Sequence, residues 1–210
     1  MARILDISSL LSPDLAVWPG DAPFLREPQQ RLAAGDPVDL SSMRTTLHIG
    51  THADAPSHVI RGGQTIDELD LSPFLGPCEV IEVNLPPRER ILPRHLSGPI
   101  QAPRVLFKTG SCPDPSRFNE AFNSLSPELI ACLAEQGCVL MGLDTPSVDP
   151  FDSQEYESHR ALFERGIQSL EGLRLEDARP GLYTLVALPL RIQGGDASPV
   201  RAVLMEDIHR

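Results

Sequence analysis

The chain has 210 residues, a formal net charge of −11, 41% hydrophobic and 22% charged residues, a composition that suits an ordinary globular domain with a substantial core. It carries no basic stripe or Lys/Arg cluster, which argues against nucleic-acid and anionic-membrane partners, and no apolar run reaches the length that spans a bilayer. The segment Met1–Asp6 has no apolar signal region, so a cytoplasmic location is expected, and Cys78, Cys112, Cys132 and Cys138 form no C-x-x-C pair, so reduced, buried thiols are expected rather than disulfides or a thiolate metal site.

In chain order, β-branched and apolar runs bounded by Pro, Gly or Asp predict strands over Ile4–Ile7, Met43–Ile49, Glu79–Val83, Val105–Lys108, Val139–Leu143, Tyr183–Leu188 and Val200–Glu206. Between the first two, the Pro/Gly-rich Pro19–Pro37 reads as a surface loop, as does Thr109–Pro115 further on. Pro93–Leu96 is a candidate short helix. A stronger one opens at Ser126-Pro127-Glu128 and closes at Gly137, with an N-cap, an N1 proline and a C′ glycine in order. Another covers Ser153–Arg165 and stops at Gly166. The sum is a β-rich α/β chain, read as one domain over 1–210, without the βαβ alternation of a doubly wound fold.

The densest chemistry is His48-Ile49-Gly50-Thr51-His52-Ala53-Asp54-Ala55-Pro56-Ser57-His58, which holds three of the six histidines and a carboxylate in eleven residues. Imidazole and carboxylate suit zinc, manganese and iron, and an N/O-ligated metal with an open position generates a nucleophile at neutral pH. Four residues of straight strand span about 13 Å, too far for His48 and His52 to share one ion. The segment, read as strand running into loop, must therefore bend, most cheaply at Gly50, or serve two ions about 3.5–4 Å apart. Asp54, with two oxygens, suits a bridge. The bland alternative is a strand whose histidines find ordinary partners.

Further ligands must come from elsewhere. His209 sits at the terminus, His95 lies beside basic residues, and His159 falls inside the Ser153–Arg165 helix. Taken alone, Glu171 is an anonymous carboxylate and Trp18 an ordinary loop or core tryptophan.

The pattern H-x-G-T-H-x-D-x-P-x-H resembles the signature of the cyclase-type metal hydrolases. The Val17-Trp18-Pro19-Gly20-Asp21 loop, the Gly142–Asp149 segment, His159 and Glu171 extend the resemblance, and the first of these with the chain length narrows it to the bacterial kynurenine formamidase (arylformamidase) branch. That resemblance implies a compact β-rich α/β domain of the swivelling β/β/α type and a homodimer. It implies two divalent ions, zinc first and manganese second, held by His48, His52, Asp54, His159 and Glu171, with both carboxylates bridging. It implies His58 as the proton-transfer residue, Trp18 lining the substrate pocket, and hydrolysis of N-formyl-L-kynurenine to L-kynurenine and formate. The Asp144-Thr145-Pro146-Ser147 turn also matches but reads more simply as a turn after a buried strand. Rival readings are an isatin-type ring-opening hydrolase of the same family and a non-catalytic metal-binding protein, the latter disfavoured by His58 standing beyond a sufficient ligand set.

Overall fold

The computed structural model describes residues 3–206; His209 lies outside them. The framework is a seven-stranded mixed sheet. Its strands are β1 (Ile4–Asp6), β5 (Leu75–Glu82), β7 (Arg104–Lys108), β9 (Leu140–Leu143), β10 (Gln168–Leu170), β11 (Gly181–Val186) and β13 (Val203–Met205). They lie in the order β1-β13-β11-β5-β7-β9-β10. The pairs β1–β13, β13–β11 and β11–β5 are antiparallel, whereas β5–β7, β7–β9 and β9–β10 are parallel. Short pairs surround it: β2 (Leu25–Gln30) with β3 (Leu40–Arg44), β4 (His52–Asp54) with β12 (Ala197–Pro199), and β6 (Arg90–Ile91) with β8 (Ser124–Leu125).

Strand periodicity sorts the interior into two cores, since alternate side chains leave opposite faces. Leu106 and Leu140 join Val80, Leu185 and Leu204 on one face. Val105, Phe107, Met141 and Leu143 face the helices on the other, with Leu129, Leu133 and Leu162. β7 and β9 are therefore apolar on both sides, which is why they read as continuous runs rather than alternating ones.

Helix α1 (Pro127–Glu135) matches its sequence signals: the Ser126 hydroxyl accepts from the Leu129 amide at 3.1 Å, and Gly137 takes φ +83° past the end. Helix α2 is shorter than predicted, Glu157–Phe163 rather than Ser153–Arg165. Tyr156 is left-handed at φ 52° and cannot continue a helix backwards, and the first turn is capped by the distant Asp149. The strand expected over Met43–Ile49 ends at Arg44, and the chain turns before resuming as β4. The Pro19–Pro37 stretch is not all loop, for it contains β2. Pro93–His95 is a single 3₁₀ turn, with His95 accepting from the Leu92 amide at 3.1 Å. All four cysteines are free, but only Cys78 and Cys138 are buried. No helix among the described residues is long and apolar enough to cross a membrane.

Candidate metal centre

Gly50 bends the chain as the distance argument requires. At φ +54° it turns the backbone between His48 and His52, and the two imidazole rings lie 5.2 Å apart. β4 then carries His52 and Asp54 into the interior, both almost fully buried. His52 and Glu171 exchange backbone hydrogen bonds of 3.2 and 3.0 Å, which fixes the end of β10 against β4. α2 supplies His159 from the other side.

The polar atoms converge on two points. Asp54 Oδ1 lies 2.9 Å from His48 Nδ1 and 3.4 Å from His52 Nε2, while Oδ2 lies 3.3 Å from His159 Nε2. Glu171 repeats the arrangement, with Oε2 3.3 Å from His52 Nε2 and Oε1 3.2 Å from His159 Nε2. Candidate ligand atoms of His48, His52 and Asp54 form one cluster, and those of Asp54, His159 and Glu171 another, sharing Asp54.

Tautomers make the case for a cation. His52 Nδ1–H donates to the Gly50 carbonyl at 2.9 Å, and His159 Nδ1–H donates to Asp149 at 2.7 Å. In the neutral rings, both Nε2 lone pairs then face carboxylate oxygens. His52 Nε2 is buried without a hydrogen-bond partner, and such a group is costly unless a positive charge satisfies it. The residues thus fit a metal on their own chemistry. The same demand appears in proton affinity. Burial disfavours a charged His48, yet Asp54 and Asp196 outweigh it and raise its pKa to about 9. Burial likewise opposes ionisation of Asp54, but His52, His159 and His48 hold its carboxyl well below the ordinary range.

His58 stands apart. It ends the 3₁₀ turn Pro56–His58, its ring lies 4.3 Å from that of His48 and 5.6 Å from that of His159, and no oxygen of Asp54 or Glu171 falls within ion-pair distance. Burial pushes its pKa down, and His48 and His159 act in the same sense against Asp54. A neutral imidazole at pH 7 follows. It can also cluster with His48 and Asp196, Asp196 Oδ2 lying 3.8 Å from His58 Nδ1 and 2.9 Å from His48 Nε2.

These groups floor a cavity of about 460 Å³, with Trp18 in its wall. The indole meets Phe118 at 5.2 Å and Phe151 at 5.1 Å between ring centroids. Asp144 also lines the cavity, but its carboxylate accepts from the Thr109 and Gly110 amides and the Thr109 hydroxyl, so it anchors the start of the distant Thr109–Pro115 loop rather than its own turn. Two residues escaped the sequence reading. Asp149 lies inside the matched Gly142–Asp149 segment, two residues after a turn. Asp196 has no local signal beyond Gly194-Gly195, and reaches the site because β12 pairs with β4, setting Ala197 opposite Asp54.

A buried His/Asp/Glu cluster with an adjacent neutral histidine, opening into an aromatic-walled cavity, defines a metal-dependent hydrolase type of site. A family description, "Putative cyclase", matches residues 5–150, and the chain belongs to that cyclase family. The kynurenine formamidase of Salinibacter ruber is 45% identical over 211 residues, 97% of each chain. That of Bordetella petrii is 43% identical, covering 98% of this chain and 99% of its own. Among solved structures, a predicted metal-dependent hydrolase from Bacillus stearothermophilus superposes with TM-score 0.82 at 26% identity, covering 99% of this chain and 100% of its own. Isatin hydrolase A from Labrenzia aggregata gives TM-score 0.81 at 26% identity, with 97% and 93% covered.

Proposed function

We propose that this chain is a metal-dependent amidohydrolase that converts N-formyl-L-kynurenine to L-kynurenine and formate, acting as a single domain. The observation that carries the reading is the convergence of the His52 and His159 lone pairs and the Asp54 and Glu171 carboxylates on buried points at the cavity floor. The full-length formamidase relatives supply the substrate class.

His48, His52, Asp54, His159 and Glu171 would hold two divalent ions, zinc first and manganese second, Asp54 and Glu171 each turning one oxygen to His52 and the other to His159. When bound, such ions supply Lewis acidity and an activated nucleophile at neutral pH. The Gly50 carbonyl and Asp149 hold the Nδ1–H of His52 and His159, so that in each neutral ring Nε2 is the nitrogen left to bind. Trp18 offers an apolar wall to the substrate's aryl ring. His58, outside the two clusters that share Asp54, takes the proton released as the formyl carbon is attacked and returns it to the anilide nitrogen. The arylamine then leaves neutral; transfers of this kind contribute about 10²–10⁴-fold.

A cytoplasmic homodimer completes the reading. Leu25 and Leu40 on one face of the β2–β3 hairpin and Met43 on the other are exposed, so the hairpin is open on both faces to a second copy. The isatin hydrolase neighbour keeps ring opening as the second reading. The test is formate release from N-formyl-L-kynurenine before and after chelation, with zinc and manganese add-back. Turnover that chelation abolishes and metal restores supports the formamidase. Metal-loaded protein that is inert on this substrate but opens isatin would replace it.

A further inference from the structure

The metal centre explains the floor of the cavity but not the charges around its mouth. Two arginines and several carboxylates line it. Most are already committed. The Arg174 guanidinium donates to the Cys112 and Pro113 carbonyls and to Glu176. Asp114 accepts from the Ser116 amide and hydroxyl, Asp144 holds the Thr109 loop, and Asp196 faces His48. Of the charged side chains in this lining, Arg117 and Asp21 have neither a hydrogen bond nor an ion pair among the described residues, Asp114 attracting Arg117 only at longer range. Each adjoins the aromatic wall: Arg117 precedes Phe118 in sequence, and the Asp21 amide donates to the Trp18 carbonyl at 2.9 Å.

We propose that Arg117 and Asp21 form an amino-acid-recognising pole of the cavity, Arg117 binding the α-carboxylate of the substrate and Asp21 its α-ammonium. This rests on the formamidase reading. An aryl formamide with its ring at Trp18 carries its amino-acid tail along the same aromatic wall, which Arg117 and Asp21 adjoin. There a zwitterionic tail meets one cation and one anion whose hydrogen-bonding groups are uncommitted. A guanidinium matches a carboxylate through two parallel hydrogen bonds. Contacts so far from the reacting carbon hold substrate and transition state alike, so their loss raises KM more than it lowers kcat.

The experiment compares N-formyl-L-kynurenine with N-formylaniline, which shares the reacting group and lacks the amino acid, in wild-type, Arg117→Gln and Asp21→Asn holoenzymes of matched metal content. The expected result is a wild-type preference for N-formyl-L-kynurenine in kcat/KM that falls about 10–100-fold in Arg117→Gln, mostly through KM, and partly returns in Arg117→Lys. The methyl ester of N-formyl-L-kynurenine should be handled by wild type much as the acid is by Arg117→Gln, and Asp21→Asn should erode the same preference. Equal losses on both substrates, or an unchanged preference in Arg117→Gln, would overturn the proposal. Inactivity of the wild type on every aryl formamide would instead overturn the formamidase reading on which it stands.

Discussion

Gly172 packs so tightly on Gly50 that a Cβ at 172 would come within 2.1 Å of the Gly50 carbonyl oxygen. That oxygen also accepts the His52 Nδ1–H. One backbone contact therefore joins the residue after Glu171 to the atom that orients His52. Gly172 has φ +63° as well, a conformation that costs other residues about 1–2 kcal/mol.

Gly172→Ala should accordingly do two things at once. Destabilisation of at least about 2 kcal/mol follows from left-handed strain plus the clash with immovable backbone. Displacement of Gly50 should also loosen His52 and lower metal content. Thermal unfolding and metal stoichiometry on one preparation check both, and a variant with wild-type values of each would remove the contact from the design of the site.

Asp149 accepts the His159 Nδ1–H at 2.7 Å and also the Ser158 and His159 amides at 2.8 and 3.1 Å. One carboxylate thus caps α2 and fixes a ligand ring. Asp149→Ala should weaken metal binding about 10–100-fold and cost about 1–2 kcal/mol through the lost cap. Competition against a chromophoric chelator reads the first effect, and urea unfolding of the metal-free protein reads the second. Unchanged affinity beside a lost cap would leave Asp149 a helix cap and nothing more.

The eleven-residue motif was legible because its ligands are dense in sequence, and the bend at Gly50 followed from the length of a strand. His159 and Glu171 were reached only through family resemblance, for a physical reason. His159 lies 105 residues from Asp54, and the contact exists only because β9–α2–β10 returns the chain beside β4. Nothing within a local window encodes that. Asp196 is hidden in the same way, arriving through a three-residue pairing of β12 with β4. Strands of two or three residues such as β4, β6 and β12 are too short to display a period. The late start of α2, after Tyr156 rather than at Ser153, reflects a backbone torsion that a tyrosine seldom adopts.

His58 separates proton transfer from metal binding. His58→Ala should retain the metal and lose about 10²–10⁴-fold in kcat, because its ring sits outside the two clusters that share Asp54. Metal analysis beside steady-state kinetics decides the matter. A variant that loses one equivalent of metal would make His58 a ligand, in the cluster it can form with His48 and Asp196.

Protons and metal compete for the same site, and the pH dependence of stability should show it. In the metal-free protein the His48 pKa rises from 6.5 to about 9, so its protonated ring stabilises the fold fully below pH 6.5. That contribution fades as pH climbs through about 9. His52 and His159 are raised as well, with the same sign. Asp54 is lowered from 3.8, so its contribution is present above that pH and fades as the medium turns more acidic. Chelated protein should therefore unfold at its highest temperature between about pH 4 and 6.5, with a melting temperature that falls on going to pH 9. Metal-loaded protein should not follow it down, since ligand nitrogens bind the ion better as protons leave. The gap between the two melting curves should widen across this window. A chelated protein whose melting temperature rises from pH 6.5 to 9 would show that the buried carboxylates do not draw protons onto these histidines.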